Sequence, residues 1–350
     1  MSEPRSNGDR SITDIASASR RQFLKQAVGG IAVASAASAG MLALPPRVTS
    51  GAVAQGSSET LVQQLYKSLN GQQQKTICFP FEHELRSKVD NNWHIIKQPI
   101  SAVFNPDQKD LIRQIFVSMH SEEYAKRVVD QVTQDNTGDN GGGFDGCAVA
   151  LFGQPGPADN SKFEFVFTGR HVTRRCDGNS VAGEAFGGPI FYGHAAHGFN
   201  EKATHPDNAY WYQAQRANQV FQALDGKQRK IALRDDPRTE KGTDTVALTG
   251  DEKKLTGIPF SELSADQKKL AMEVMHDVLA PFRKTDASKA MQFVEQGGID
   301  KLHMTFYSND DIGNDGVWDL WQIEGPSMIW YFRGAPHVHT WVHIRDPKAT

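Results

Sequence analysis

Residues 317–344 read VWDLWQIEGPSMIWYFRGAPHVHTWVHI and contain three short apolar runs separated by turn residues. The runs 317–325, 327–334 and 337–344 each contain aromatic or β-branched residues, and a Gly-Pro or Ala-Pro pair separates each run from the next. Short apolar runs with such boundaries are typical of β-strands joined by tight turns. This stretch therefore predicts three consecutive antiparallel strands.

The last of these strands carries three histidines on one face. His337, His339 and His343 share parity with Trp341, whereas the even positions from 338 to 344 are Val, Thr, Val and Ile and are predicted to face the core. His337 and His339 are close enough to share one metal ion, and His343 lies too far along the strand for the same ion. Neutral imidazole is a common ligand for zinc, copper and iron. The alternative is a half-buried strand whose histidines only form hydrogen bonds.

A second group of strands is predicted in the middle of the chain. SKFEFVFTGRHVTRRC (161–176) alternates, with its three phenylalanines and His171 on one face. DGNS (177–180) predicts a hairpin turn into VAGEAFGGPIFYG (181–193). His171 is either a core histidine with a hydrogen-bonding partner or a member of a site.

Helix starts and loops occupy most of the remaining chain. LNGQQQK (69–75), LDGKQRK (224–230) and LSADQKK (263–269) resemble one another, and Asn70, Asp225 and Ser264 are suitable N-caps. NPDQKDLIRQIFVSM (105–119) has apolar residues at helical spacing. Residues 133–146 predict an exposed loop, and residues 234–254 predict a polar connection between helices. The irregular spacing of the helix starts does not indicate a tandem solenoid.

The order of strands, then helices, then strands predicts an α+β fold with an antiparallel sheet and helices packed on one side. G-x-G-x-x-G after a strand, the P-loop, G-x-S-x-G and H-E-x-x-H are absent from the sequence. Their absence argues against nucleotide-binding, α/β-hydrolase and zincin functions. The formal net charge of −3 gives no indication of a nucleic-acid partner, since such proteins present a basic surface.

The amino terminus has the features of an export signal. SRRQFLK (19–25) places a twin arginine before a weakly apolar run, and AVA (52–54) supplies a small-residue cleavage site. Residues 1–54 are therefore predicted to be a twin-arginine (Tat) signal peptide, and residues 55–350 a single α+β domain. We expect the Tat translocase to be a partner during export. We also expect a periplasmic or secreted protein without a stable membrane span in the mature chain.

The cysteines give little information, because Cys78, Cys147 and Cys176 are three, widely spaced and without a C-x-x-C motif. They allow at most one disulfide bond within the chain, and a site built only from thiolates is not expected. His194 and His197 form a second candidate ligand pair if they lie on a helix, since a spacing of three places both rings on one side. Glu184 and Glu324 are the carboxylates that can complete a set of histidine and carboxylate ligands.

An ordered series of segments carries a family resemblance. The segments are SLNGQQQK (68–75), FEHELRSKVDNNWH (81–94), NPDQKDLIRQIF (105–116), VALFGQPG (149–156), FEFVFTGRHV (163–172), GGPIFYG (187–193), QALDGKQRKIAL (222–233), IEGPSMIWYF (323–332) and PHVHTWVHIRDP (336–347). Together they resemble the bacterial and fungal family known as domain of unknown function 3500. The resemblance implies a single, often exported domain with no settled activity.

The same resemblance implies a set of site residues. The family pattern has a Gly-His-His segment and a terminal His-x-His before Arg-Asp-Pro. The matching positions are His171, His337 and His339, with Arg345 following, while Arg170 stands in place of the first histidine of the pair. The resemblance thus implies that His171 lies near His337 and His339, a proximity that sequence spacing does not reveal.

These observations lead to an expected function. We expect an exported metal-dependent enzyme that binds copper, iron or zinc through His337 and His339, with His171 or the pair His194 and His197 completing the ligands. Such a site can polarise a small-molecule substrate or activate water or dioxygen. Export of a folded protein suits a preloaded metal, which favours redox chemistry at copper or iron over hydrolysis at zinc. The alternatives are a non-catalytic protein that binds metal or a small ligand, and a structural envelope protein.

Overall fold

The computed structural model describes residues 57–138, 142–156, 161–195, 209–309, 311, 314, 316–317 and 319–349. The helices are α1 (Ser58–Ser68), α2 (Gly71–Ile77), α3 (Ile100–Val103), α4 (Pro106–Ser118), α5 (Glu122–Asp135), α6 (Trp211–Ala223), α7 (Gly226–Ala232), α8 (Ala265–Leu279) and α9 (Lys284–Gly297). The strands are β1 (Cys78–Phe79), β2 (Ala148–Gly153), β3 (Phe163–Gly169), β4 (Val172–Cys176), β5 (Ile190–His194), β6 (Leu233–Arg234), β7 (Ile258–Pro259), β8 (His303–Tyr307), β9 (Leu320–Gly325), β10 (Met328–Arg333) and β11 (Val338–Ile344). The predicted signal peptide lies outside the described residues.

The described strands form one sheet in the order β1-β2-β3-β4-β5-β11-β10-β9-β8-β6, with β7 paired to β8. The pairs β1–β2 and β6–β8 are parallel, and the other neighbours are antiparallel. The three strands predicted from residues 317–344 are confirmed as β9, β10 and β11. Among the described helices, none has the length and apolar character needed to cross a membrane.

The helices pack on one face of this sheet, which we call the helical face. Apolar residues of α6, α8 and α9 bury the central and C-terminal strands, and residues of α1, α4 and α5 bury β2, β3 and β4. The opposite face, the loop face, is covered by residues 79–96 and 238–248, which contribute Leu85, Val89, Ile95 and Val246 to its apolar contacts. The predicted α+β fold with helices on one side is confirmed.

The prediction of one continuous strand over residues 161–176 is wrong. Gly169 pairs with Val172, so Arg170 and His171 form the two-residue loop of a hairpin between β3 and β4. After a two-residue loop, the residues that face the helices are the even-numbered ones in β4 and no longer the odd-numbered ones, as in β3. This change is hard to see in the sequence because β4 buries two arginines, Arg174 and Arg175, where apolar residues would be expected. The sequence therefore shows no change of alternation. In the predicted strand 181–193, only Ile190 onward joins the sheet.

The three predicted N-caps are confirmed, and a fourth helix starts in the same way. Each of the four has a capping box, in which the cap side chain and a glutamine three residues later satisfy each other's backbone amides: Asn70 with Gln73, Asn105 with Gln108, Asp225 with Gln228, and Ser264 with Gln267. The glutamine amides then pair between helices, Gln73 with Gln108 and Gln228 with Gln267.

These matching helix starts belong to two halves with the same order of elements. One half runs from α1 to β5 and the other from α6 to β11. Each half begins with two helices and a two-residue strand that pairs in parallel with the next long strand of its own half. The last strands of the halves, β5 and β11, pair with each other at the centre of the sheet. The resemblance among the helix starts thus reflects an internal duplication of the fold.

A buried histidine also stabilises the helical face. His120 Nδ1 lies 2.7 Å from the Phe116 carbonyl oxygen, and its Nε2 accepts a hydrogen bond of 3.1 Å from Arg174 Nε. An imidazole that accepts at Nε2 and donates at Nδ1 is neutral. Burial, together with the positive charge of Arg174, lowers the pKa of His120 to about 3.

This arrangement predicts a loss of stability in mild acid. The pKa of His120 is lower in the folded than in the unfolded protein, so the unfolded state binds the extra proton and stability falls as the pH drops below the unfolded value. Between pH 7.5 and 5.0 the wild type is expected to lose about 2 kcal/mol of unfolding free energy more than His120→Gln, which cannot gain that proton. Urea unfolding at both pH values measures the difference. His276→Gln, at an exposed histidine, should follow the wild type, and equal slopes for His120→Gln and wild type would contradict the assignment.

Candidate metal centre

Three histidines from distant parts of the sequence meet where the central strands end. His339 of β11 lies opposite Gly193 of β5, and the Gly193 amide donates a hydrogen bond of 3.1 Å to the His171 carbonyl. A side chain at Gly193 is excluded because a Cβ there would lie 2.3 Å from the Val338 carbonyl oxygen. This backbone contact brings the β3–β4 turn to the start of β11. The expected proximity of His171 to His337 and His339 is therefore confirmed.

The three imidazoles are buried and converge on one another. His171, His337 and His339 are 4%, 2% and 6% exposed. Their ring centroids are 4.7 to 5.1 Å apart, and the Nε2 atoms of His337 and His339 are separated by 3.0 Å. One ligand atom from each lies within 4.8 Å of the other two. Two nitrogens at about 2.1 Å from one ion lie at most about 4.2 Å apart. Small side-chain shifts of less than about 1 Å would therefore let all three bind one ion.

His171 is held in an unusual backbone conformation. Its φ of 61° lies in the left-handed region, which costs a non-glycine residue about 1 kcal/mol. The His171 amide donates a hydrogen bond of 2.8 Å to the Asn91 carbonyl, and the Gly193 amide binds the His171 carbonyl. Strained residues cluster at functional sites, where the surrounding structure holds them in place.

A carboxylate approaches this group from the helical face. Asp135, the last residue of α5, places Oδ2 3.3 Å from His171 Nδ1 and 3.2 Å from His194 Nδ1, and its Oδ1 accepts from the Ala195 amide at 3.3 Å. The approach to His171 is close, but it is too poorly aligned to be a hydrogen bond. Burial opposes ionisation of Asp135, but the contacts with His171 and His194 outweigh it and lower its pKa. Asp135 is therefore an anion beside two imidazoles.

A second carboxylate approaches from the loop face. Glu240 Oε2 lies 2.7 Å from His339 Nδ1, and Glu240 Oε1 lies 3.2 Å from Arg333 Nε. Burial raises the pKa of Glu240, although the charge of Arg333 opposes that rise. A carboxylate at Nδ1 favours the tautomer with its proton there, which leaves the Nε2 lone pair of His339 available to a metal ion.

His339 remains neutral across the physiological pH range. Burial is the largest cause, and Arg333, His171 and His337 add positive or potentially positive charge that also lowers the His339 pKa well below its ordinary value. A neutral imidazole is the form that binds a metal ion. His339 thus has the charge state of a ligand, and the group has the converging nitrogens that a transition-metal site requires.

The other predicted ligands lie outside the three-histidine group. His194 contacts it through Asp135 and not directly, because its Nδ1 faces the same carboxylate oxygen as His171. His197 lies outside the described residues. The predicted helix joining His194 and His197 is not formed at His194, which ends strand β5.

The predicted carboxylates and Arg345 also lie elsewhere. Glu184 accepts from His343 Nε2 at 2.9 Å and lies 2.9 Å from Arg345 Nε, toward the far end of β11. Glu324 forms an ion pair of 2.6 Å with Arg238. His343 is thus separated from the other two β11 histidines, as its spacing predicts.

Sequence reasoning missed both carboxylates that contact the group. Asp135 and Asn136 are buried, although residues 133–146 were predicted to be an exposed loop. The prediction is wrong at its beginning, because α5 extends to Asp135, and at its end, where Phe144 is buried in a short helical turn. Glu240 lies in the stretch predicted to be a polar connection, and no spacing relates it to His339, which is 99 positions away. A possible signal for Asp135 was the helical spacing of buried Tyr124, Val128 and Gln131 upstream.

A large cavity of about 1060 Å³ lies apart from the histidine group, on the helical face between α1, α4, α5 and α9. Its lining mixes acidic and basic side chains, among them Arg283, which forms ion pairs with Glu59 and Asp286. His171, His337 and His339 are not among the residues that line it.

The three cysteines are free thiols.

Comparison with known proteins identifies the family. A family model described as "Protein of unknown function (DUF3500)" matches residues 53–349, nearly the whole domain. The chain therefore belongs to the DUF3500 family. No curated protein and no solved structure matches it significantly.

The position of Asp135 predicts that it stabilises the fold in metal-free protein. Asp135→Ala would leave the buried His194 ring and the Ala195 amide without their acceptor and would remove the anion beside His171, so it is expected to lower the unfolding free energy by about 2–4 kcal/mol. Asp130→Ala is the matched control, because Asp130 lies on the same helix, exposed and paired only with Lys126 in the described structure. Its effect should stay within about 0.5 kcal/mol. Chemical unfolding in the presence of a chelator measures both, and equal midpoints would contradict the role of Asp135.

Proposed function

We propose that this protein is an exported metalloenzyme whose divalent transition-metal ion is bound by His171, His337 and His339. The observation that carries the proposal is the convergence of three buried imidazoles, two of which, His171 and His339, have a carboxylate close to Nδ1. Carboxylates behind metal-binding histidines fix the tautomer and raise the basicity of the ligand. Asp135 would take this role for His171, and Glu240 for His339.

Burial of polar groups supports metal binding over a purely structural role. His337 and His339 can share one hydrogen bond between their Nε2 atoms, which are 3.0 Å apart, whereas Nδ1 of His171 is buried without a hydrogen bond. A metal ion would accept the three lone pairs together. It would also offset the negative charge that Asp135 and Glu240 bring to the buried group.

Three protein ligands are the number found in catalytic sites, because a position remains for water or substrate. A bound ion of this kind supplies a Lewis acid, an activated water molecule or, with copper or iron, redox chemistry. Copper, iron and zinc all accept three imidazoles. We favour copper or iron, since export of the folded chain suits a metal loaded before export.

The near-complete burial of the three histidines favours a second function, non-catalytic metal binding or storage. That function requires every coordination position to be filled by the protein. X-ray absorption spectroscopy of the metal-loaded protein counts the ligands, so an exchangeable oxygen ligand supports the enzyme and a closed protein shell supports storage.

The proposal predicts about one metal ion per folded chain. Elemental analysis of the purified protein should find copper, iron or zinc in this amount, and His337→Ala/His339→Ala should lose it because two of three ligands are absent. His343→Ala is the matched control on the same strand and should keep the metal, since His343 is bound to Glu184 and Val246.

Circular dichroism separates loss of metal from loss of fold, and His171→Gln provides a milder variant if the double substitution does not fold. Substoichiometric metal in the wild type, or full metal content in the folded double variant, would refute the site.

We also propose that the Tat translocase exports the protein to the periplasm or beyond. The support is the twin arginine at 20–21, the weakly apolar run and the small-residue cleavage site at 52–54. Export of a folded chain would allow the metal to be bound in the cytoplasm.

This export route predicts that Arg20→Lys/Arg21→Lys leaves the precursor in the cytoplasm. In a bacterial host with an active Tat system, the wild type should appear in the periplasmic fraction with Gln55 as its first residue. Fractionation and amino-terminal sequencing measure both. The same distribution for wild type and variant, or export in a host without the translocase, would show that another route is used.

A further inference from the structure

Arg333 lies beside the proposed metal ligands. It is paired in register with His339 across β10 and β11, and such residues project from the same face with their Cβ atoms about 5 Å apart. One carboxylate links the two side chains, because Glu240 binds His339 Nδ1 through Oε2 and contacts Arg333 Nε through Oε1. The side chain of Arg333 is 22% exposed, so solvent reaches part of it.

The hydrogen-bonding capacity of Arg333 is unused. None of the guanidinium N–H groups forms a hydrogen bond with another described residue, and Nε is buried without one despite its proximity to Glu240. Two other arginines on the loop face form side-chain hydrogen bonds, Arg238 with Gln322 and Arg345 with the Ala349 carbonyl. A partly buried guanidinium with free donors has the geometry to bind a carboxylate through two parallel hydrogen bonds.

The charge of the site favours the same ligand. With three neutral histidines, the charged groups in contact are Asp135, Glu240 and Arg333, whose sum is −1 when both carboxylates are ionised. A divalent ion changes the sum to +1. Uncompensated charge is costly to bury, so a monoanion at the open coordination position would neutralise the group.

We propose that Arg333 is the specificity-determining residue of this site and that it selects a small carboxylate as the ligand or substrate of the metal ion. The inference rests on the proposed function, since it places the carboxylate between the guanidinium and the open position of the metal. A neutral molecule of the same shape would leave the donors of Arg333 without a charged acceptor and would bind more weakly.

The test uses the full mature domain loaded with cobalt(II), whose visible absorption responds to a change of ligand. Acetate is the probe, and acetamide is its neutral counterpart of the same shape. Acetate is expected to change the spectrum of the wild type and acetamide to have little effect. Arg333→Gln should retain the cobalt but bind acetate about tenfold more weakly or worse, because charge-assisted hydrogen bonds are lost.

Arg345→Gln is the matched control, since it removes the same charge from the same face at the far end of β11, and it should bind acetate as the wild type does. If Arg333→Gln does not fold, Arg333→Lys keeps the charge, loses the planar fork, and should also bind acetate more weakly.

If both the wild type and Arg333→Gln bind cobalt, and both bind acetate with equal affinity, the role of Arg333 is overturned and the metal site stands. An equal response to acetate and acetamide, or no response to either, would overturn the choice of a carboxylate. Failure of the wild type to bind cobalt would overturn the metal site itself and the carboxylate subsite with it.

Discussion

The pairing of β5 with β11 is the constraint on which the rest of the molecule depends. It joins the two halves of the sheet, and it places Gly193 opposite His339 while the Gly193 amide binds the His171 carbonyl. Because any side chain at Gly193 would collide with the Val338 carbonyl, the strands approach closely only with glycine at this position. The same backbone contact that closes the sheet therefore also assembles the three histidines.

Burying those histidines requires polar partners on both faces of the sheet. Asp135 reaches the group from a helix, and Glu240 reaches it from the segment that covers the loop face. Each also binds the backbone or an ion-pair partner outside the group, the Ala195 amide for Asp135 and Arg333 for Glu240. A buried polar network is stabilising only when its members find partners. The site thus connects α5, the central strands and the covering segment, and a bound ion would strengthen all three connections.

The parts of the fold that are determined by neighbouring residues in the chain were predictable from the sequence. Short apolar runs bounded by Gly-Pro and Ala-Pro turns indicated β9, β10 and β11, and cap residues indicated the helix starts at Asn70, Asp225 and Ser264, because each signal lies within a few positions. The β3–β4 turn was missed because buried arginines in β4 conceal the reversal of alternation. Asp135 was missed because the polar residues that follow α5 resemble a loop, and Glu240 because its partner is remote in sequence. The proximity of His171 to β11 came from the family resemblance and not from spacing.

The duplication shows how the end of β11 that gathers three histidines differs from the end that carries His343. In the first half, the Gly193 amide binds the carbonyl of His171 in the β3–β4 turn. In the second half, the Arg345 amide binds the carbonyl of Ser327 in the β9–β10 turn, at 2.8 Å. The two ends of the central strand pair are therefore built alike, but Ser327 takes the position that His171 has in the first half.

At that second end, Glu184 accepts a hydrogen bond from His343 and lies 2.9 Å from Nε of Arg345. The repeated fold thus holds two equivalent positions, and in the described structure only the one at His171 brings three imidazoles together.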